Sequence, residues 1–581
     1  MKRVKLIALL LTVTMLASML TACGKDDGGN QGGSGNQTNQ GNQGGDNQGG
    51  AVEVARDPIT LTIFVAGPGE APPNDNKIIQ KIAELTGVTL DFEFLVGDME
   101  QKVGIMIASG DYPDIIAPGQ ARGQFLNANA YAALCDYLPN FPNLWKHFGP
   151  YEQRLRTVAE DGKIYILDIW GRRYNLGDGQ DDLYLAGYGG PAFWIQKDVL
   201  AWDGYSNPTT FAEYFDLLER YKEAHPTIDG QPTLAFEILC DDWRSFCLKN
   251  ASQHIIGGRN EGDLVVFPDL SVEIYQNKWY ARDYYKILND AFHRGLIDPE
   301  TFTRSFDQYK ANMSNGRVLA MFDQAWNFGE AEDVLRGDGK HNRRYVPLGL
   351  TFDGPAAPYS RQREAGIIGG NGIGLSNGPN LQRALDFMDL ILSEEIQILM
   401  TWGIEGEDYY VDENGRFRRT PEQKLNFDNP DWVLFNGGKP VREHFPKIEG
   451  RFSCGNAAEP NDQPEERLEN MVEYDRHFLS QYGFSDRADF LPMFEFAFNY
   501  PEVWSMFSTM PEDNIAKIIF NDITDLQNRH LPGIIMSNNF MADWETYIAR
   551  YDALDIAALE SEMEFQIRER LYDPTKLQFR D

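Results

Sequence analysis

Between Ile59 and Ala117 the spacing of apolar residues switches back and forth between the period of a strand and that of a helix, and few folds tolerate that. Ile59, Leu61, Ile63 and Val65 alternate with Thr60, Thr62 and Phe64, the pattern of a strand buried on at least one face. Ile78, Ile79, Ile82 and Leu85 follow at helical spacing, with Asn74 and Asp75 as candidate caps and Gly87 where the helix would stop. Val88, Leu90, Phe92 and Phe94 return to alternation, Met99, Val103, Met106 and Ile107 form a second helical face closed by Gly110, and Asp114-Ile115-Ile116 opens a third strand. Strands joined through helices are parallel neighbours, so an α/β unit with a parallel sheet is expected. Such sheets bind ligands at the carboxyl ends of their strands, which directs attention to the loops 66–74, 95–98 and 117–124.

Later segments keep the alternation. Thr209 and Thr210 precede a helical face of Phe211, Tyr214, Phe215, Leu217, Leu218 and Tyr221. Gly366 to Ser376 reads as a Gly-rich strand and turn ahead of a helix through Leu381, Leu385, Met388 and Ile391. Asp412-Glu-Asn-Gly415 between Tyr409/Val411 and Phe417 is a hairpin signal, and residues 511–571 are mostly helical in pattern.

The amino terminus carries a different message. Lys2, Arg3 and Lys5 precede an uncharged run from Leu6 to Ala22 that ends in Leu20-Thr-Ala-Cys23. This is the layout of an export signal, and its tail resembles the bacterial lipobox, whose cysteine is lipidated after cleavage. Residues 1–22 are therefore expected to be a cleaved signal peptide and Cys23 the lipid anchor. Gly24 to Gly50 holds eleven Gly, five Asn and five Gln and has no apolar side chain to bury, the composition of a tether. The domain beyond it would work at the outer face of a membrane.

The formal charge of −34 disfavours nucleic acid or anionic headgroups as partners. Cys135, Cys240, Cys247 and Cys454 show no C-x-x-C spacing, and buried free thiols are expected. Enzymatic signatures fail one by one. The eight histidines include no His-Glu-x-x-His, and no Gly-x-Ser-x-Gly elbow lies outside the tether. Gly372-Ile-Gly-Leu-Ser-Asn-Gly378 places its last glycine one residue late for a dinucleotide loop. Asp412-x-Asn414 begins like a calcium loop without the later ligands. No cofactor and no metal are expected. A glycosidase carboxylate pair can be neither nominated nor dismissed among 87 Asp and Glu.

Trp170, Trp194, Trp326 and Trp402 lie in segments rich in Gly, Asn and Asp. Flat rings beside hydrogen-bonding groups suit sugars, whose C–H faces pack on rings while their hydroxyls require polar partners.

The segments Ala108-Ser-Gly-Asp-Tyr-Pro-Asp-Ile-Ile116, Gly162-Lys-Ile-Tyr165, Trp194-Ile-Gln-Lys-Asp198, Gly295-Leu-Ile-Asp-Pro-Glu300, Asn315-Gly-Arg317 to Trp326 and Trp402-Gly-Ile-Glu-Gly406, in that order after the lipobox, resemble the extracellular solute-binding proteins of ABC-type carbohydrate importers, in the large Gram-positive lipoprotein class. The resemblance implies a two-lobe, type II periplasmic-binding-protein-like α/β fold with ligand held in the cleft between lobes. It also implies an oligosaccharide ligand, membrane permease and ATPase partners, a monomer, and binding without catalysis. Lobe 1 is expected over 51–185 and 365–400, and lobe 2 over 186–364 and 401–581 with a helical carboxyl-terminal region. Candidate ligand residues are Glu70, Gln120, Arg122, Trp170, Trp326, Asn371 and Trp402, with Gln180 to Gly190 longer than relatives often have. Arg122, Arg172 and Arg173, in or beside cleft loops, raise a carboxylate-bearing ligand. A surface-tethered glycoside hydrolase and a receptor for peptides or other small solutes are the alternatives.

Overall fold

The computed structural model describes residues 57–572 except 157, 160, 170, 173–187, 258–261, 263, 268, 353–365, 368–371, 492–502, 504–505 and 508–509. The expected signal peptide, Cys23 and the expected tether thus lie outside the described residues, as do Trp170, Arg173 and Asn371.

The opening segment folds as its periodicities demand: β1 (Ile59–Val65), α1 (Lys77–Thr86), β2 (Val88–Phe94), α2 (Met99–Ser109) and β3 (Ile115–Ala117). Both β2 and β3 lie parallel to β1, with Ile63 opposite Phe92 on one side and Ile115 on the other. Gly87 and Gly110 end the two helices in the left-handed region, at φ 67 and 73. The cap of α1 is Asn76 rather than Asn74 or Asp75. Its Oδ1 accepts from the backbone N–H of Ile78 and Ile79, while its Nδ2 donates to the carbonyls of Leu434 and Gly437, so a long-range contact fixes the helix start.

β4 (Ile166–Asp168) and the later β11 (Gly372–Leu375) complete this first sheet in the order β2-β1-β3-β11-β4, with β11 antiparallel to both neighbours. Side chains at Gly372 and Gly374 would drive a Cβ into the Leu167 carbonyl and the Tyr131 ring. These glycines serve close strand packing, and their spacing near that of a nucleotide loop is incidental.

A second sheet is built from β6 (Ala192–Gln196), β7 (Leu234–Glu237), β8 (Val318–Asp323) and β9 (Tyr345–Leu348), in the order β9-β6-β8-β7. β8 is parallel to β7, and β6 runs against both β8 and β9. The first two of the chain's passages between the sheets pair as an antiparallel ribbon of β5 (Gly171–Arg172) and β10 (Gly366–Ile367).

Each sheet has its own core. Leu61, Ile63, Ile115, Leu167 and Ile373 pack with Phe387, Trp402, Phe417, Phe445 and Phe452, whereas Phe193, Phe236, Leu319 and Val346 pack with Tyr284, Ile523, Trp544 and Ile567. Residues 401–458, expected with the second lobe, thus bury their apolar side chains against the first. The helical end does join the second: Ile515–Ile535, Phe540–Tyr551 and Ile556–Tyr572 are helices, and the carboxylates of Glu560 and Glu564 accept from the backbone N–H of Ile274 and Val272. The hairpin forms between β12 (Tyr410–Val411) and β13 (Phe417–Arg418). Asp412 Oδ1 accepts from the N–H of Asn414 and Arg416, so this carboxylate closes the turn. The described cysteines are free thiols as expected, but only Cys247 is buried; Cys135 and Cys240 are half-buried and Cys454 is exposed.

Candidate functional site

At the carboxyl ends of the first sheet, backbone hydrogen bonds gather three loops. Ala66 N–H donates to Ala117 O at 2.9 Å, and Leu95 N–H to Val65 O at 3.0 Å. Gly119 takes φ 51 there because its Cα comes so close to the loop after β1 that a Cβ would sit 3.1 Å from Ala66 O. Glu70 and Gln120 are exposed on these loops. Arg122 is not: at 2% exposure it points inward, within electrostatic range of the buried Tyr131 phenol, whose ionisation burial pushes far up and Arg122 partly opposes. Arg122 therefore exposes almost no surface to a ligand.

The second sheet ends differently. Beyond β8, Trp326 is the second residue of the helix Ala325–Gly337, 54% exposed, its indole N–H donating to Gln324 Oε1 at 2.9 Å. Beyond the parallel neighbour β7, a turn with Asp242 at φ 52 brings up Trp243, 46% exposed. The two indoles stack nearly parallel, centroids 5.7 Å apart and planes at 14°, with the Phe246 ring against both. Large apolar rings left this open, beside polar groups at strand ends, present a flat apolar platform to solvent.

One buried carboxylate locks the platform. Asp323, the last residue of β8, accepts from Tyr309 Oη at 2.6 Å, Gln324 N–H at 2.7 Å, Asn327 Nδ2 at 2.8 Å and the Cys247 thiol at 3.3 Å. Its own carbonyl accepts from the Trp194 indole at 2.8 Å. Burial pushes the Asp323 pKa up while these donors pull it down. The helix bearing Trp326 and the segment bearing Trp243 and Phe246 are therefore tied to one side chain. At the back of that helix, Glu332 pairs with Arg487 at 2.9 Å beside a second ion cluster in which Lys197 and Arg344 bind Asp475 at 2.6 and 3.2 Å. Burial pushes Lys197 down to about 8.

Of the residues singled out in the sequence, Glu70 and Gln120 are exposed at the carboxyl ends of one sheet and Trp326 at those of the other. Trp402 is corrected: it is 0% exposed, packed edge-on to Phe417 at 5.4 Å with its N–H on Ala457 O, a core residue. Trp194 is likewise core. Arg172 contributes its backbone to the ribbon. Trp243 escapes the sequence reading, although Cys240-Asp-Asp-Trp-Arg-Ser-Phe246 follows an apolar strand just as Asp323-Gln-Ala-Trp326 does. A cavity of about 220 Å³ lies elsewhere, lined by Asn143, Lys146, His147, Glu394 and Arg451 beside the core of the first sheet, and is smaller than sites that enclose a ligand.

Residues 77–404 match the family described as bacterial extracellular solute-binding protein. The chain is 22% identical over 526 residues to the fructooligosaccharide ABC transporter substrate-binding protein FusA of Streptococcus pneumoniae, covering 86% of this chain and 89% of that one. It is 24% identical over 380 residues to the polygalacturonan/rhamnogalacturonan-binding protein YtcQ of Bacillus subtilis, covering 61% and 67%. The solved structure of a FusA mutant with fructo-nystose superposes with a TM-score of 0.59 at 18% identity, over 88% of this chain and 99% of that chain. The two-sheet architecture is thus the type II, two-lobe fold of such proteins.

Proposed function

We propose, since the chain belongs to the bacterial extracellular solute-binding protein family, that it captures an oligosaccharide between its lobes and delivers it to the permease of an ABC importer. The observation that carries this is the Trp243–Trp326 platform, exposed at the carboxyl ends of two adjacent parallel strands and braced from beneath by Asp323. Sugar C–H faces would stack there while Glu70 and Gln120 bind hydroxyls from the other lobe. The names of FusA and YtcQ support glycans as the class and differ in which glycan. The paired β5–β10 passage is where the lobes would hinge, and ligand should reduce the radius of gyration in solution scattering.

The test is titration calorimetry against a panel of neutral and acidic oligosaccharides, with Trp326→Ala alongside. Affinity should fall by about 1–3 kcal/mol in the variant with the melting temperature of the free protein nearly unchanged. A large stability loss with normal affinity would make Trp326 structural, and release of reducing ends from the glycans would favour the hydrolase. We place the protein on the outer face of the membrane through lipidated Cys23, for which Leu20-Thr-Ala-Cys23 and the polar tether speak. Cys23→Ala should move it into the medium, and its retention in membranes would reject the anchor.

A further inference from the structure

Immediately beside the aromatic platform, the guanidinium of Arg244 lies over the Trp243 ring at 4.5 Å and over the Phe306 ring at 3.9 Å. A planar cation sandwiched this way gives up solvent on both faces and keeps hydrogen-bonding capacity only at its edges. Its Nε is buried without a hydrogen-bond partner, whereas its terminal nitrogens reach the surface. Among the described residues, no carboxylate of the chain lies within ion-pair distance of it, in a protein with 87 acidic and 53 basic residues where Arg294, Arg304, Arg344, Arg418 and Arg487 each hold one. Asp241, three residues before it, accepts from Phe306 N–H, and Lys310, which also lies over the Phe306 ring, pairs with Asp307 and Glu330.

We infer that Arg244 reads a carboxylate on a sugar bound beside Trp243 and Trp326, so that the preferred ligand is a uronate-containing oligosaccharide. The inference rests on the oligosaccharide reading above and narrows it. A guanidinium held edge-out in the plane between two rings is preset to donate two parallel N–H bonds to one carboxylate, and the rings exclude the water that would compete. The sequence points to Arg122, Arg172 and Arg173 for this role; Arg122 is buried, and the sandwich gives Arg244 the geometry the role requires.

The test titrates wild type, Arg244→Met and Arg244→Lys with tetragalacturonate and with the neutral tetrasaccharide nystose, recording a thermal melt of each variant. Met keeps the length and apolar stem between the rings, and Lys keeps the charge without the fork. Tetragalacturonate binding should weaken about tenfold to a hundredfold in the Met variant and less in the Lys variant, while any nystose binding stays within about twofold. Equal losses for both glycans would show that Arg244 only props Trp243 and would overturn the inference. Wild-type preference for nystose would overturn it while leaving the receptor reading intact. Binding of no oligosaccharide at all would remove that reading and this inference together. If the Met variant melts early, the Lys variant decides: unchanged tetragalacturonate affinity there, with a normal melt, rejects bidentate recognition.

Discussion

The two sheets end in walls made by different means. The first wall is three loops pinned by backbone hydrogen bonds, presenting Glu70 and Gln120. The second is a set of rings whose supports converge on the Asp323 carboxylate. Backbone pinning fixes where a loop runs and leaves its side chains free. Convergence on one buried charge fixes the side chains themselves, and concentrates the risk in one residue. The first wall should therefore tolerate substitution and the second should not.

Asp323→Ala breaks that contrast most severely. It strands donors from Tyr309, Asn327, Gln324 and Cys247 in a buried site and should cost on the order of 5 kcal/mol of stability, read by denaturant unfolding, with glycan affinity lost in the folded fraction. Trp402→Ala comes next: a core truncation of about 3–5 kcal/mol with unchanged affinity, the opposite signature to Trp326→Ala. Affinity loss in a folded Trp402 variant would contradict its placement.

Acid should separate the walls. His254 packs behind the second one, against Phe322 at 5.4 Å and Phe193 at 6.4 Å, and burial pushes it down to about 4. Because its folded pKa is below the unfolded 6.5, its contribution is full above 6.5 and disappears as pH falls towards 4, on the order of 3 kcal/mol. His254→Gln should flatten the stability profile between those limits, and an unchanged slope would assign the acid sensitivity to carboxylates. The smallest effect is expected from Gln120→Ala, below about 1 kcal/mol in affinity with no change in melting temperature. A loss as large as that of Trp326→Ala would mean that the first wall, too, hangs on single side chains.

What the sequence made legible follows the range of the interactions involved. β1 to β3 and the terminal glycines of α1 and α2 were readable because periodicity and left-handed caps are local. The cap at Asn76 was not, because residues 434–437 select it from more than 350 positions away. Trp326 could be placed because an apolar strand runs straight into it, and Trp402 was misplaced because Gly and Glu around it look like surface while Phe417 and Ala457 close over the ring. The lobe assignment of 401–458 failed for the same reason: nothing local tells a chain which of two cores it will return to. Trp243 carried the same strand-then-Trp signal as Trp326 behind a shorter strand.

The near-parallel Trp243–Trp326 pair also gives the protein a reporter of its own. Two indoles this close couple electronically, so their strong far-ultraviolet transitions combine into a signed pair of bands in the circular dichroism instead of two independent ones. A sugar laid on the outer face of Trp326 changes the local polarisability and dries one side of the pair, altering both the band splitting and the fluorescence quenching between the rings. Occupancy can therefore be followed optically on the unlabelled chain, with Trp243→Phe as the variant in which the couplet vanishes.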